Sequence, residues 1–567
     1  MSPARRFANP WLWLCLLLAP AIALLPGLAT AEPPLVSDTV RAAAEERVEA
    51  GHYRSILIGV RENGRESWKA FGGTTEKGTA PTPESVYEIG SLTKPFTAAL
   101  LAAHIAAGDL SLDDPVNRLL PDDSRLDRRL REEVALWQLA THVSGLPNTP
   151  DDLDPNDPLR MFESYTPERL NAFLEQHPLA GEPGKHFAYS NLGYALLGQL
   201  LAEYADSDFA TQVEEALLAP LALDEIAARP RDRILDQLTP GHDYDLNSAP
   251  SWELSAFKPA AGLKASARDL LRWVELNRDP SGPLADALAL ITRPQMNLGD
   301  HGYGMGLGWQ LFEDDSRQIF WHSGRTAGYS AFAAFDRDQE RSVVVLSNTG
   351  TNLESLGFAT LEGNGEGLPP LREGQPLDRD LGALYVGRYQ MAPGFVVTVR
   401  QRDADLFIRA PGRPPLRLYS INGQRFFTRG VDSEVHFLAG EDGAVDQLRI
   451  ETPNGAVQLG HRMHRTESKA SREVAQRPAA ELQRYAGIYR IGADEDIHIQ
   501  ADRDRLLLSS GDGPSRPLYP APDGRFFHRN QPLELVFSET DDGQAGKRLI
   551  LFRNGHRLEA EALANQD

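Results

Sequence analysis

The sequence predicts a chain of α/β (α+β) class, with a strand-and-helix domain at 37–360 and two antiparallel β-barrels at 379–465 and 481–563. Three observations support this prediction. At 567 residues the chain is too long for one hydrophobic core. Short β-branched runs lie at both ends of the first region, with Ala/Leu-rich helical runs between them. The remainder of the chain contains one pattern twice.

The N-terminal segment, residues 1–31, resembles a secretory signal peptide. Arg5 and Arg6 precede an apolar run from Trp11 to Leu28, and Ala29-Thr30-Ala31 fits a cleavage site with small residues. We therefore expect cleavage near Ala31 and secretion, with a periplasmic location and no membrane span in the mature chain. An uncleaved membrane anchor is the alternative.

The only cysteine, Cys15, falls within this segment, so the mature chain would have no thiol. Trp13-Leu14 before it lacks the small residues of a lipoprotein signal. Covalent catalysis would then need an oxygen or amine nucleophile. The formal net charge is −22, which argues against binding nucleic acid.

In the first region, the runs at 55–60 (SILIGV) and 342–347 (SVVVLS) predict buried strands. The segments 95–107 and 191–205 predict helices. Because strands lie at both ends of the region and helices in the middle, we expect the first and last strands to share one antiparallel sheet.

A Gly/Pro-rich linker at 361–378 leads to the repeated part, and a second linker at 466–480 divides the two copies. Matching residues are separated by 100 positions without a gap. Each copy has short strands and tight turns, which predicts a small closed barrel. The pairs include Tyr385/Tyr485, Gly387/Gly487, Tyr389/Tyr489, Leu406/Leu506, Leu418/Leu518, Tyr419/Tyr519, Phe426/Phe526, Phe427/Phe527, Arg429/Arg529, Phe437/Phe537, Ile450/Ile550, Asn454/Asn554 and Gly455/Gly555.

Ser91 and Lys94, in YEIGSLTKPFTA, are candidates for a nucleophile and its activator. Positions i and i+3 share a helix face, and Pro95 places the helix start near Ser91. Free backbone N–H groups there would stabilise an oxyanion. Lys94 could take the serine proton or lower its pKa. The alternative is an N-cap serine beside a solvated lysine.

Tyr189 and Asn191, in PGKHFAYSNLGY, lie at a second turn-to-helix corner. A phenol near cationic nitrogens would have a lowered pKa and could act as a general base. The alternative is an ordinary aromatic residue beside an Asn N-cap.

His322 and Gly324, in WHSGRTAGY, are expected at a turn that enters an edge strand. Gly324 would let a substrate pack against the strand. The backbone N–H of Arg325 would be an oxyanion donor together with that of Ser91. The alternative for His322 is a structural histidine.

In this order, the three motifs and the segment WQLATHVSGLP resemble the serine β-lactamases and penicillin-binding-protein-like hydrolases. This group includes class C β-lactamases, D-alanyl-D-alanine carboxypeptidases, D-aminopeptidases and esterases. The resemblance covers residues 37–360 and implies that Ser91 is acylated, Lys94 is its partner and Tyr189 shuttles protons. It also implies that Asn191 binds the substrate.

His322 departs from the group, because many members have a lysine there that seats a substrate carboxylate. Histidine at this place is associated with the D-aminopeptidase and esterase members. The twin barrels also resemble the lipocalin-like domains of D-aminopeptidases, which are closest in architecture. The sequence does not decide whether a barrel loop reaches the active site.

We therefore expect an exported serine hydrolase that acts through an acyl-enzyme on D-amino-acid peptides or small esters. The alternatives are a non-catalytic peptide- or muropeptide-binding protein and a weak β-lactamase. No cofactor or metal site is predicted, since His461 and His464 lack an acidic partner at metal spacing. The oligomeric state is left open.

Overall fold

The computed structural model describes residues 33–563 except for short interior segments. These segments are 76–77, 122–123, 151, 154–161, 178, 180–181, 299–301, 315, 393–394, 411–414, 430–432, 440–444, 452–456, 464–473, 492–494, 511–514, 529–532, 540–544 and 554–555. The expected signal peptide, Cys15 and His464 therefore lie outside the described residues, as do Arg529, Asn454, Gly455, Asn554 and Gly555 of the repeat.

An eight-stranded antiparallel sheet forms the centre of the first region. The strand Ser55–Glu62 pairs with Arg341–Ser347, with Ile56 opposite Ser347. The prediction that the first and last strands are sheet partners is thereby confirmed. The spatial order is Arg65–Gly72, Ser55–Glu62, Arg341–Ser347, Ser330–Asp336, Gln318–Arg325, Gln310–Glu313, Tyr303–Met305 and Met296–Asn297.

Both faces of the sheet are buried at its central strands Ser55–Glu62, Arg341–Ser347 and Ser330–Asp336, which explains their continuous apolar runs. Ile56 and Ile58 face a core covered by the helices Asp38–Glu49 and Glu354–Glu362. Leu57 faces the opposite, larger core. The helix Ala267–Arg278 lies on that second face.

A helical part continues the larger core and carries the chain around Ser91. Its main helices are Thr93–Ala107, Arg128–Glu133, Leu136–Ala140, Pro167–Gln176, Asn191–Tyr204, Phe209–Gln212, Ala219–Leu221, Asp232–Asp236, Lys258–Ala261 and Ala285–Ile291. Val213–Leu218 is π-helical, and Gly90–Leu92, Val116–Leu119 and Gly282–Leu284 are 3-10 turns. Val86–Glu88, Lys264–Ser266 and Ile226–Ala227 form a small three-stranded sheet.

The repeated part folds into two closed eight-stranded antiparallel barrels, as predicted. The first follows the helix Arg379–Tyr385 and contains Gly387–Ala392, Phe395–Arg402, Asp405–Arg409, Leu416–Ser420, Arg425–Phe427, Glu434–Ala439, Val445–Glu451 and Val457–Arg462. The second follows the helix Ala479–Leu482 and the 3-10 turn Gln483–Tyr485. It contains Gly487–Ile491, Glu495–Asp502, Arg505–Ser510, Arg516–Pro520, Phe526–Phe527, Leu533–Glu539, Ala545–Arg553 and His556–Ala562.

The repeat is visible in the hydrogen bonds of the barrels. The Tyr389 hydroxyl donates to the carbonyl of Tyr385 at 2.8 Å, and the Tyr489 hydroxyl donates to that of Tyr485 at 2.9 Å. The same two positions therefore join the first strand of each barrel to the helical turn before it in the same way.

Each barrel contacts a different part of the first region. Tyr419 of the first barrel donates to Asp245 at 2.9 Å. Arg505 of the second barrel donates to the carbonyl of Gln176 at 2.6 Å, at the end of the helix Pro167–Gln176. Across the described residues, no helix is both long and apolar enough to cross a membrane.

Candidate active site

Ser91 lies in a sharp corner between the strand Val86–Glu88 and the helix Thr93–Ala107. Gly90 has φ +50°, a left-handed conformation that side chains disfavour. A Cβ at Gly90 would also lie 2.6 Å from the Arg325 nitrogen. Glycine therefore allows this corner to form directly against the backbone of the strand Gln318–Arg325.

The Lys94 amine points at Ser91 from within the protein. Its Nζ lies 3.0 Å from Ser91 Oγ and donates to Asn191 Oδ1 at 2.7 Å and to the Ala260 carbonyl at 2.9 Å. The Lys94 side chain is fully buried, and this burial holds its pKa well below the usual lysine value. All three partners are uncharged, so the surroundings favour the neutral amine.

Tyr189 is the third member of this group. Lys94 Nζ lies 4.9 Å from the centroid of the Tyr189 ring. Burial raises the pKa of Tyr189 above its ordinary value, a hydrogen bond to Ser91 opposes this, and the Glu354 charge adds to it. The expectation of a lowered tyrosine pKa is therefore wrong, because burial raises the pKa by more than the hydrogen bond to Ser91 lowers it.

Asn191 begins the helix Asn191–Tyr204, and its amide is held on both sides. Its oxygen accepts from Lys94, and its Nδ2 donates to Asn148 Oδ1 at 2.7 Å. The backbone N–H of Asn191 donates to the Asn148 carbonyl at 3.0 Å. The amide is thus oriented before any substrate arrives.

His142 is a site residue to which the sequence reasoning gave no role. It stacks on the Tyr189 ring with centroids 4.3 Å apart, and its Nδ1 accepts from the Ser190 backbone N–H at 3.0 Å. Burial lowers its pKa well below the usual histidine value. His142 belongs to the segment WQLATHVSGLP, which contributed to the family resemblance. The sequence did not show that His142 contacts Tyr189.

We expected His322 at a turn that enters a strand. It lies instead within the strand Gln318–Arg325. This strand is paired on both sides up to Trp321, which faces Gln310. Among the described strands, the segment His322–Arg325 is paired only with Ser330–Asp336. It is therefore a sheet edge where it passes Ser91.

The backbone at this edge approaches the Ser91 corner closely. A Cβ at Gly324 would lie 1.8 Å from the Ile89 carbonyl oxygen and 2.9 Å from the Ser91 nitrogen. Thr326 N–H donates to the Tyr329 carbonyl. Since hydrogen-bonding directions alternate along an antiparallel ladder, the Arg325 N–H points away from the partner strand, towards the Ser91 corner.

His322 is buried beside Tyr189, with ring centroids 6.3 Å apart. Its Nδ1 lies 2.6 Å from the Ser323 carbonyl oxygen. Burial lowers its pKa to about 3, so the imidazole is neutral near pH 7. In the described part of the chain, its Nε2 has no hydrogen-bond partner.

The described residues contain no group of three or more His, Cys, Asp or Glu side chains arranged to hold a metal ion. His461 lies exposed on the strand Val457–Arg462.

The family match and the relatives given below make this chain a serine hydrolase related to the β-lactamases and penicillin-binding proteins. More particularly, a profile of the family described as Beta-lactamase matches residues 40–361, more than half of the chain. The chain therefore belongs to the β-lactamase family.

Similar proteins include penicillin-binding protein 4* of Bacillus subtilis (strain 168), 26% identical over 409 residues, with 66% of this chain and 88% of that protein covered. A β-lactamase of Pseudomonas fluorescens is 25% identical over 350 residues, with 55% and 92% covered. The likeness to a class C β-lactamase structure from Rhodobacter sphaeroides has a TM-score of 0.50 at 24% identity and covers 58% of this chain and 98% of that one. The last comparison bears on the fold alone.

Proposed function

We propose that this protein is an exported serine hydrolase that forms an acyl-enzyme on Ser91 and acts on D-amino-acid peptides or small esters. The observation that carries the proposal is the 3.0 Å approach of Lys94 Nζ to Ser91 Oγ, made by an amine whose pKa burial has lowered. Such an amine can accept a proton near neutral pH.

The hydrogen bonds of Lys94 fit the role of general base. A neutral amine has two N–H donors and one lone pair. Asn191 and Ala260 offer the two acceptors, which leaves the lone pair for the Ser91 hydroxyl. Tyr189, with its raised pKa, is then the neutral phenol that passes a proton to the leaving group rather than the base.

The proposed reaction has two steps. Ser91 Oγ bonds to the substrate carbonyl carbon while its proton moves to Lys94, and the Ser91 and Arg325 N–H groups stabilise the oxyanion. The bond to the leaving amine or alcohol breaks as that group gains a proton through Tyr189. Water then adds to the ester carbonyl, and the acid and free Ser91 are released.

The substrate class is inferred from His322. A lysine at this place would give a fixed positive charge for a substrate carboxylate, whereas His322 is neutral above its pKa of about 3. Weaker recognition of carboxylates disfavours β-lactams and D-Ala-D-Ala peptides. The proposed substrates are therefore amides and esters that lack this carboxylate. Gly324 and Asn191 would bind the backbone and carbonyl of such a substrate.

A fluorophosphonate probe tests the enzyme against the alternative of a peptide-binding protein. Labelling of the wild type that disappears in Ser91→Ala supports the hydrolase. A wild type that is folded but never labelled would favour the binder. Turnover of D-amino acid amides, D-Ala-D-Ala peptides, nitrocefin and p-nitrophenyl esters then ranks the substrates, and efficient nitrocefin hydrolysis would contradict the proposed preference.

Export is proposed from residues 1–31, with their paired arginines, apolar run and Ala29-Thr30-Ala31. N-terminal sequencing of the protein from the periplasm of an expressing cell tests it. A mature chain that begins at Glu32 is expected, and an intact Met1 on exported protein would argue for the uncleaved anchor.

A further inference from the structure

Glu354 lies beside the active-site edge, and the reaction proposed above does not use it. It is the first residue of the helix Glu354–Glu362, and its side chain is half-buried. Its carboxylate accepts a short hydrogen bond from the Ser323 hydroxyl. Ser323 is the neighbour of His322 on the strand that passes Ser91.

The position of Ser323 places this carboxylate next to a bound substrate. His322 and Ser323 point to opposite faces of the strand, since side chains alternate. A substrate that lies along the edge His322–Arg325 therefore has the imidazole on one side and the Ser323–Glu354 pair on the other. The Glu354 charge also contributes, after burial, to the raised pKa of Tyr189.

Within the described residues, Glu354 forms no ion pair with a lysine, arginine or histidine. Its carboxylate accepts from the Ser323 hydroxyl, which carries no charge, and its backbone N–H donates to Asn352 Oδ1 at 3.0 Å. A half-buried carboxylate of this kind attracts a cation and repels an anion, because the surrounding protein screens it less than water does.

We propose, on the basis of the hydrolase function above, that Glu354 is a specificity-determining residue that binds an ammonium group of the substrate and repels a carboxylate. The neutral His322 and the acidic Glu354 then both disfavour a substrate carboxylate. The preferred substrate is an amide or ester that carries a free amino group close to the scissile carbonyl.

Arg325 could determine the charge preference for substrate in place of Glu354, since its exposed, positively charged side chain lies on the same face of the strand as Ser323. If Arg325 determined the preference instead, the wild type would favour anionic substrates. The sign of the charge preference therefore separates the two residues.

The test compares three substrates that differ in one group: D-alanine p-nitroanilide, its N-acetyl derivative and its N-succinyl derivative. For the wild type we expect kcat/KM in the order ammonium, neutral, carboxylate. In Glu354→Gln, the ratio of the ammonium to the acetyl substrate should fall by about tenfold or more, as loss of a charge-assisted hydrogen bond implies.

The matched control is Glu366→Gln, which removes one exposed carboxylate from the linker and should leave the ratio unchanged. A second measurement uses the labelling rates of Ser91 by diphenyl 1-aminoethylphosphonate and its N-acetyl derivative, which need no turnover. Equal ratios in the wild type and Glu354→Gln, or a wild-type preference for the succinyl substrate, overturn the Glu354 proposal while labelling still supports the hydrolase. Absence of all labelling overturns both.

Discussion

At the scale of single residues, the site is a set of polar groups enclosed in an apolar interior. Lys94, His142 and His322 are all buried, and burial lowers the pKa of each. Burial raises the pKa of Tyr189. Desolvation thus favours the neutral form of every one of these groups, and a neutral Lys94 is the form that can accept the Ser91 proton.

Lys94→Ala should reduce acylation of Ser91 by about 10²–10⁴-fold, the usual contribution of a general base. The rate of fluorophosphonate labelling measures this effect directly. Lys185→Ala, which removes an exposed lysine before Tyr189, should label at the wild-type rate. Unchanged turnover in a folded Lys94→Ala protein would rule out the proposed mechanism.

The low pKa of His322 also predicts how stability depends on pH. The folded pKa is about 3 and the unfolded value is 6.5, so the unfolded chain binds more protons between these limits. Stability therefore rises with pH across this window and is lost as the pH falls. His322→Gln should reduce the slope of unfolding free energy against pH by up to about 1.4 kcal/mol for each pH unit.

Chemical denaturation of the catalytic region at several values between pH 4 and pH 6, inside that window, measures this slope. His52 and His142, whose pKa values are also lowered, account for residual slope in the variant. Identical slopes in wild type and His322→Gln would show that the pKa of His322 is the same in the folded and unfolded states. That outcome would contradict the lowered pKa on which the argument from His322 to the substrate class depends.

At the scale of elements, the site is made where a strand edge meets a helix start. The strand Gln318–Arg325 loses one neighbour after Trp321, and the Ser91 corner lies against the edge so created. Two backbone N–H groups, of Ser91 and Arg325, are proposed to converge there as oxyanion donors.

Gly324→Ala tests this contact. The new Cβ would lie 1.8 Å from the Ile89 carbonyl oxygen, so the strand and the corner must separate. We expect a fall in acylation rate of about 10²-fold or more, as for the loss of an oxyanion donor. Labelling kinetics give the rate, and circular dichroism checks the fold. A folded variant that labels at the wild-type rate would contradict the proposed oxyanion site.

At the scale of the whole molecule, the two barrels hold different parts of the catalytic region. Tyr419 and Arg429 of the first barrel contact Asp245 and the Gly51 carbonyl. Arg503 and Arg505 of the second barrel donate to the carbonyls of Glu175 and Gln176. These last contacts supply hydrogen bonds to carbonyl groups at the C-terminal end of the helix Pro167–Gln176, where the helix dipole favours cations.

Arg505→Leu should lower stability by about 2 kcal/mol, because its hydrogen bonds to Gln176, Asp502 and Tyr519 are lost in a buried place. The first unfolding transition in urea reports the change. Arg490→Leu is the matched control; its pair with Asp496 is exposed and contributes less than about 1 kcal/mol. Equal effects of the two variants would show that the docking contact is not stabilising.

Much of the fold was predictable because it depends on local pattern. The β-branched runs at 55–60 and 342–347 predicted sheet partners, and the 100-residue spacing predicted two barrels. The Ser91–Lys94 pair was also predictable, since i and i+3 share a helix face. His142 and Glu354 were not found, because their partners lie 47 and 31 residues away, respectively, at Tyr189 and Ser323.

The sequence by itself determined the chain's parts, the Ser91–Lys94 pair and the β-lactamase-like order of the motifs, since all of these follow from spacing along the chain. Only the tertiary structure decided the protonation states and the charge beside the substrate. Tyr189 shows the reason. Its pKa depends on how deeply the folded protein buries the phenol, and the residues next to it in the sequence do not determine that burial. Glu354 shows it too, because its place at Ser323 exists only once the helix Glu354–Glu362 packs on the sheet.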